Sequence, residues 1–308
     1  MKHECFKTEL NEDKVMVSRQ SFYSTTELAK YVKAQPINKI FKEEKLSSDQ
    51  EKSGGFNDFD SLEDAIEALE YGTSMYEKDF NKNLKKVQDF LKKKEKNKNA
   101  NYKNDKVGFL PIVPNVLHGN PINMINQDIK PKPFPTAKII LDKGNSCRIT
   151  TNDMNEFYSI IFALIQLLEN KGIRCEIWVL DGSMSGDEII VSKLKIKSYT
   201  QPLNIYKIQF PIIASDYLRR IGFRIIETNP DIKCSGWTSG YGAPLGVRVD
   251  YKEKPKETTQ IIGFDENDIF IPSCQEFGFD AGDDIEETIE EIIDKTNLKN
   301  YIKINKED

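Results

Sequence analysis

The stretch Ala137-Lys138-Ile139-Ile140-Leu141-Asp142-Lys143-Gly144-Asn145-Ser146, with Thr150-Thr151-Asn152-Asp153 and the apolar run 154–168 behind it, decides the fold class. Residues 137–141 read as a short buried strand, and the polar residues 142–146 as the turn that ends it. Thr150 to Asp153 is a helix cap. The helix that follows places Met154, Phe157, Tyr158, Ile160, Ile161, Phe162, Leu164, Ile165, Leu167 and Leu168 nearly all the way round its axis. A helix without a wide polar face is buried, so it must lie against a sheet and under another layer. Lys171-Gly172 stops it, and residues 173–180 form a second strand, parallel to the first by the right-handed crossover rule.

Working outward, residues 189–196 alternate as a third strand. The tight turn 181–187 makes that strand antiparallel and places it at the sheet edge. A helical pattern over 205–220, a strand at 223–226, a glycine-rich loop at 236–242, a strand at 268–272 and a helix at 285–294 complete the expected domain, residues 136–308. The expected class is α/β: a mostly parallel sheet with flanking helices and one antiparallel edge strand.

Residues 1–106 read as a helical N-terminal region. Ser24-Thr25-Thr26-Glu27 has capping-box spacing before Leu28, Tyr31 and Val32. Residues 46–60 are a loop. Leu62, Ala65, Ile66 and Leu69 follow the i, i+3, i+4, i+7 rule up to Gly72, and a second helix spans 74–94. It runs into a lysine-rich linker. Residues 107–135 carry Pro111, Pro114, Pro121, Pro131, Pro133 and Pro135 and read as a connector, with a turn at His118-Gly119-Asn120-Pro121.

Composition narrows the function classes. The 308 residues are 38% hydrophobic and 30% charged, ordinary for a cytosolic globular protein, and no apolar run reaches the roughly 18 residues that span a bilayer. The polar start is unlike a signal peptide. Five cysteines, at 5, 147, 175, 234 and 274, never form a C-x-x-C pair, so they read as reduced and not zinc-bound. With only His3 and His118, a Ser-His-Asp or Cys-His centre would rest on His118. The net charge of −5 combines an acidic C-terminal part with a band of Lys85, Lys86, Lys92, Lys93, Lys94, Lys96, Lys98, Lys103 and Lys106. Clustered lysines attract phosphates, but here they alternate with asparagines and have only Tyr102 as a stacking platform, which favours a linker over a nucleic-acid patch.

Two resemblances follow from these residues. The strand order, with its antiparallel edge hairpin, resembles a von Willebrand A domain over about residues 137–298. That resemblance implies a divalent cation, magnesium, held at Asp142, Ser146 and Thr200, with Gly144 replacing a ligand serine and Glu227 standing where an aspartate is expected. These departures make a scaffold with no cofactor the preferred reading and Mg2+ the alternative. Separately, Phe56-x-x-Phe59-x-Ser61-Leu62-Glu63-Asp64-Ala65, the Gly-Asn-Pro turn, Leu218-Arg219-Arg220 before Phe223, and Gly240-Tyr241-Gly242 resemble an uncharacterised family of tailed-phage and prophage proteins. This implies a viral gene expressed in a bacterial host cytoplasm and no particular activity.

Asp181-Gly182-Ser183-Met184-Ser185 also has the D-x-S-x-S form, but a strand follows it, so it reads as a hairpin turn. The glycines of 236–246 match no phosphate-binding pattern. Trp237 and Tyr241 in that loop are candidate anchors for a protein partner, since exposed aromatics dominate interface energetics. No nucleophile and base stand at a useful spacing, so the expectation is a non-catalytic interaction module, an adaptor for a ring ATPase or host factor. The alternatives are a nucleic-acid-associated protein using the lysine band and a metal-dependent hydrolase.

Overall fold

The computed structural model describes residues 1–10, 12–42, 46–50, 57–94, 102–107, 110–127, 135–245, 255–265 and 267–302. In chain order the elements are β1 (Lys2–Leu10), β2 (Asp13–Phe22), α1 (Thr25–Ala34), α2 (Leu62–Tyr71), α3 (Glu77–Lys94), β3 (Tyr102–Asp105), β4 (Leu110–Pro111), α4 (Val113–Leu117), β5 (Met124–Gln127), β6 (Thr136–Asp142) and α5 (Thr151–Asn170). After these come β7 (Arg174–Ser185), β8 (Glu188–Lys197), α6 (Ile205–Ile213), a π-helix (Tyr217–Gly222), α7 (Phe223–Glu227), β9 (Ala243–Pro244), α8 (Pro255–Ile262), β10 (Ile269–Ile271), α9 (Cys274–Phe277) and α10 (Ile285–Lys295). Among the described residues no helix is long and apolar enough to cross a membrane.

The centre forms as the sequence dictates. Thr150 Oγ1 accepts the Asp153 amide at 3.2 Å while Asp153 Oδ2 accepts the Thr150 amide at 3.0 Å, a capping box that starts α5. From there α5 runs buried on almost every side, with Phe162 against Phe80 of α3 at 4.5 Å between ring centroids. Beneath it lies a largely parallel sheet in the order β1-β2-β8-β7-β6-β10. Strands β6 and β7 are parallel across the α5 crossover, β10 is parallel to β6, and β8 is antiparallel to β7. Alternation divides β7 between two cores: Cys175, Ile177 and Val179 face α5, while Trp178 and Leu180 face α8.

Three expectations are corrected. The first 22 residues are not helical; they form the β1–β2 hairpin, and β2 pairs in parallel with β8 from Met16↔Glu188 to Phe22↔Leu194. Consequently β8 is interior and β1 is the edge strand. Residues 223–226, expected as a strand, are helical. Pro211, inside α6, has no amide to give the Lys207 carbonyl, and after α6 ends at Ile213 the chain re-enters helix through the π-helix, whose last turn leads directly into α7. The segment expected as a proline-rich connector carries strands: β4 pairs antiparallel with β5, as does β3 just before it, and the Ile112 amide donates to the Asn123 carbonyl at 2.7 Å.

The second face of the sheet is closed by cations at the end of α8. Arg19 donates to the carbonyls of Gln260 and Ile261 at 2.8 and 3.2 Å, and Lys193 to that of Gly263 at 3.0 Å. These satisfy the last carbonyls of the helix and oppose its dipole. Gly263, at φ +69°, leaves no room for a Cβ, which would meet Arg19 and Lys193 within 2.9 Å.

Candidate interaction surface

The residues expected to hold a cation do not converge. Asp142 ends β6, buried, with Oδ1 accepting the Gly144 amide at 2.8 Å. The Ser146 amide donates to Gln275 Oε1 at 2.7 Å. Thr200 lies at the other end of the sheet. Lys197 faces Ile177, which faces Ile139, so Thr200 is three residues beyond that level in one direction and Asp142 three in the other. At about 3.3 Å per residue the two are separated by roughly 20 Å. Glu227 is no closer to the role: buried, it accepts from the Ser48 amide at 3.2 Å and the Tyr241 hydroxyl at 2.6 Å. Lys143, beside Asp142, is also buried; its ammonium donates to the carbonyls of Ile212 and Ile213 and sits 3.6 Å from the Tyr158 ring centre. Burial pushes its pKa well below the lysine range. Among the described residues no three His, Cys, Asp or Glu side chains are grouped to hold a metal.

The expected anchors are likewise corrected. Trp237 is 0% and Tyr241 7% exposed. The indole donates to Glu188 Oε2 at 2.9 Å, and Tyr241 stacks on Phe223 at 4.4 Å and on Phe41 at 5.8 Å. The glycines have a packing role in this loop. A Cβ on Gly242, at φ +82°, would come 2.8 Å from Met184 O and from the Trp237 ring, so glycine permits the loop to lie on the indole and β7.

The family-like motif residues also prove structural. Arg220 and Asp216, both fully buried, pair at 2.8 Å. The guanidinium also donates to the carbonyls of Ser48, Gln50, Phe59 and Asp60, while Asp216 accepts the amides of Asp58 and Phe59. One ion pair thus pins residues 48–50 and 58–60 to the π-helix, satisfying buried carbonyls that have no partner in a sheet or helix. Beside it, burial raises the Asp181 carboxyl to about 7 against the opposing pull of Lys143. Asp181 Oδ1 has no hydrogen-bond partner, nor has Oγ of Ser192, which faces it across β7 and β8. The gap they line with Ser183 and Gly222 is too small for a water, so no substrate reaches this carboxylate.

Other potential catalytic groups are equally constrained. His3 Nε2 lies 2.7 Å from Asp231 Oδ2 and 3.3 Å from Ser18 Oγ. A hydrolytic triad instead uses both ring nitrogens, one for the acid and one for the hydroxyl, and Ser18 also donates directly to Asp231 at 2.7 Å. Burial pushes the thiols of Cys175 and Cys274 up to about 12, which leaves no thiolate near neutral pH. His118, the histidine on which a triad would have had to rest, is exposed with Nδ1 against the Pro114 carbonyl at 2.7 Å. An open cavity of about 670 Å³ between α1 and α2 is lined by apolar Val32, Leu62 and Ile66 together with the charged Lys33, Glu67 and Arg224.

What sequence reasoning missed is the lobe of β3, β4, α4 and β5. Among the described residues, six of the eleven exposed large apolar side chains, Val107, Leu110, Val113, Val116, Leu117 and Ile122, fall within 107–122. Leu117 is 80% and Val107 74% exposed. Helix α4 buries no residue at all. The short helix is nonetheless held in place, since the Asn115 side-chain amide donates to the Ile122 carbonyl at 2.8 Å. An ordered scaffold thus presents apolar side chains to solvent. The signal in the sequence was the valines and leucines between the prolines, which have no periodicity to suggest an inner face. Of the described lysine band, Lys93 pairs with Glu286 at 3.0 Å and Lys92 lies 3.8 Å from Asp89; Lys96 and Lys98 lie outside the described residues.

Residues 7–300 match the sequence profile of one protein family, described as a domain of unknown function, DUF7192. No curated protein and no solved structure matches the chain.

Proposed function

The chain belongs to the DUF7192 family, and within it we propose that the protein is a non-catalytic interaction module that binds a protein partner through the apolar lobe 102–127. The observation that carries this reading is the concentration of exposed valine, leucine and isoleucine on one small ordered scaffold. Contiguous apolar surface costs free energy in water and marks a site that another molecule covers. Burying a single such side chain contributes about 1.5 to 3 kcal/mol, so three or four of them supply the core of an interface.

The partner we propose is an ATPase ring or a host factor, with the protein as its phage-encoded adaptor; the motif resemblance supports this assignment. We also read the sheet as a modified von Willebrand A-like scaffold. The run β6-α5-β7-β8 supports that reading, while the added β1–β2 hairpin and the helix at 223–227 count against it.

The test is site-specific photo-crosslinking in the producing cell, with the photoreactive residue at Val113 or Leu117 of the full chain and at the exposed Tyr206 as control. A discrete protein adduct at the two lobe positions, absent at Tyr206 and lost with Val116→Asp, is expected. Equal adducts at all three positions, or none at the lobe, would sink the proposal. A nuclease-sensitive adduct would transfer the preference to nucleic-acid binding.

A further inference from the structure

The edge of the sheet offers a second, independent surface. Strand β1 is nine residues long and pairs on one side only, with β2. Leu10 faces Asp13 across the two-residue turn, and the closing pair of such a hairpin exchanges both of its backbone bonds. Alternation then turns the amides and carbonyls of Leu10, Thr8, Phe6, Glu4 and Lys2 toward β2, and those of His3, Cys5, Lys7 and Glu9 outward. Natural sheets usually blunt a long edge with a proline, a bulge or a covering element. Strand β1 has no proline, its pairing with β2 is unbroken in register from Lys2 to Leu10, and no other described strand pairs with its outer side.

We infer that β1 is a homodimerisation strand, pairing antiparallel with β1 of a second copy about a two-fold axis at Phe6. In such a pair directly opposed residues share a face of the sheet, so only residues of the same parity can meet, and every allowed register centres on one residue. The charges select among these. Centring on Glu4 or Lys7 opposes each to its own copy, and centring on Cys5 sets Lys7 against His3. Centring on Phe6 keeps the whole strand paired and opposes no like charges. Glu9 then meets His3, Lys7 meets Cys5, Glu4 meets Thr8, and the two Phe6 rings meet at the axis. The four outward residues form the hydrogen-bonded pairs, and Phe6 falls at a non-hydrogen-bonded position, where side chains come closest. Each Phe6 already lies under its own Arg19 guanidinium at 5.1 Å. Two lysines and two glutamates leave the strand without net charge, so bringing two copies together adds no repulsion at the contact.

Sedimentation velocity of the full chain over a dilution series, together with a register-specific cross-link, tests this. The wild-type chain should sediment as a dimer. Lys7→Pro removes an outward amide without touching the ladder to β2, and should give a monomer with an unchanged circular-dichroism melt. Lys7→Cys should form a disulfide-linked dimer on mild oxidation, because opposed hydrogen-bonded residues stand about 5.5 Å apart at Cα, within disulfide reach. That cross-link should vanish with Cys5→Ser, and wild-type Cys5 should not cross-link to itself. A monomeric wild-type protein would overturn the proposal, as would a dimer in which Lys7→Cys fails to cross-link. Self-cross-linking of wild-type Cys5 would refute the register. The cross-link decides even if Lys7→Pro prevents folding.

Discussion

Replacing Asp181 with asparagine should stabilise the protein increasingly as pH rises. The carboxyl is buried on β7, Oδ1 has no partner, and burial raises its pKa from 3.8 to about 7. The folded state therefore holds this proton more tightly than the unfolded chain does. Its contribution to stability is fully present below about pH 4 and is lost as pH rises through about 7, where the folded protein must carry a buried, poorly paired charge. The two units between pH 5 and 7 are worth about 3 kcal/mol at 1.36 kcal/mol each. Asparagine is neutral throughout, and its amide can donate to Ser192 Oγ directly opposite. Relative to wild type, the variant should gain about 3 kcal/mol between pH 5 and pH 8, or on the order of 5 °C in melting temperature for a chain of this size. Urea melts of both proteins at pH 5, 6, 7 and 8 measure the difference, in which all shared titrations cancel. A difference that does not change with pH, or wild type gaining on the variant as pH rises, would show that Asp181 is a well-paired carboxylate of ordinary pKa.

Gly222→Ala would place a Cβ 2.3 Å from Asp181 Oδ2, so it should destabilise by about 1 to 3 kcal/mol in chemical denaturation, and Asp181→Ala should remove most of that cost. Arg220→Met leaves Asp216 buried without its cation and the Ser48, Gln50, Phe59 and Asp60 carbonyls without a donor. A loss of about 3 to 5 kcal/mol is expected, and limited proteolysis should then cut first within residues 46–60; unchanged stability would deny the clasp its role. Because Asp142 and Thr200 are far apart, added magnesium should leave the melting temperature unchanged; a rise abolished by Asp142→Ala would restore the cation site.

The sequence by itself determined what local periodicity controls. Helix α5, capped at Thr150 and apolar all round, required a layered α/β fold, and the strands β6, β7 and β10 and the helices α2 and α10 were legible from their apolar spacing and caps. Tertiary structure alone decided the rest. Strand β2 is fixed by β8, about 170 residues later in the chain, and Asn11-Glu12 lacks the glycine that usually announces a hairpin. Phe223-Arg224-Ile225-Ile226 has the composition of a strand, but it continues the π-helix and buries Ile225 and Ile226 against the core, and packing overrides propensity there. For the candidate sites the limit was direction. Nothing within a glycine-rich loop tells whether Trp237 faces solvent or Glu188, and nothing within a proline-rich segment tells that Leu117 stays exposed. Burial is set by residues that only the fold brings together.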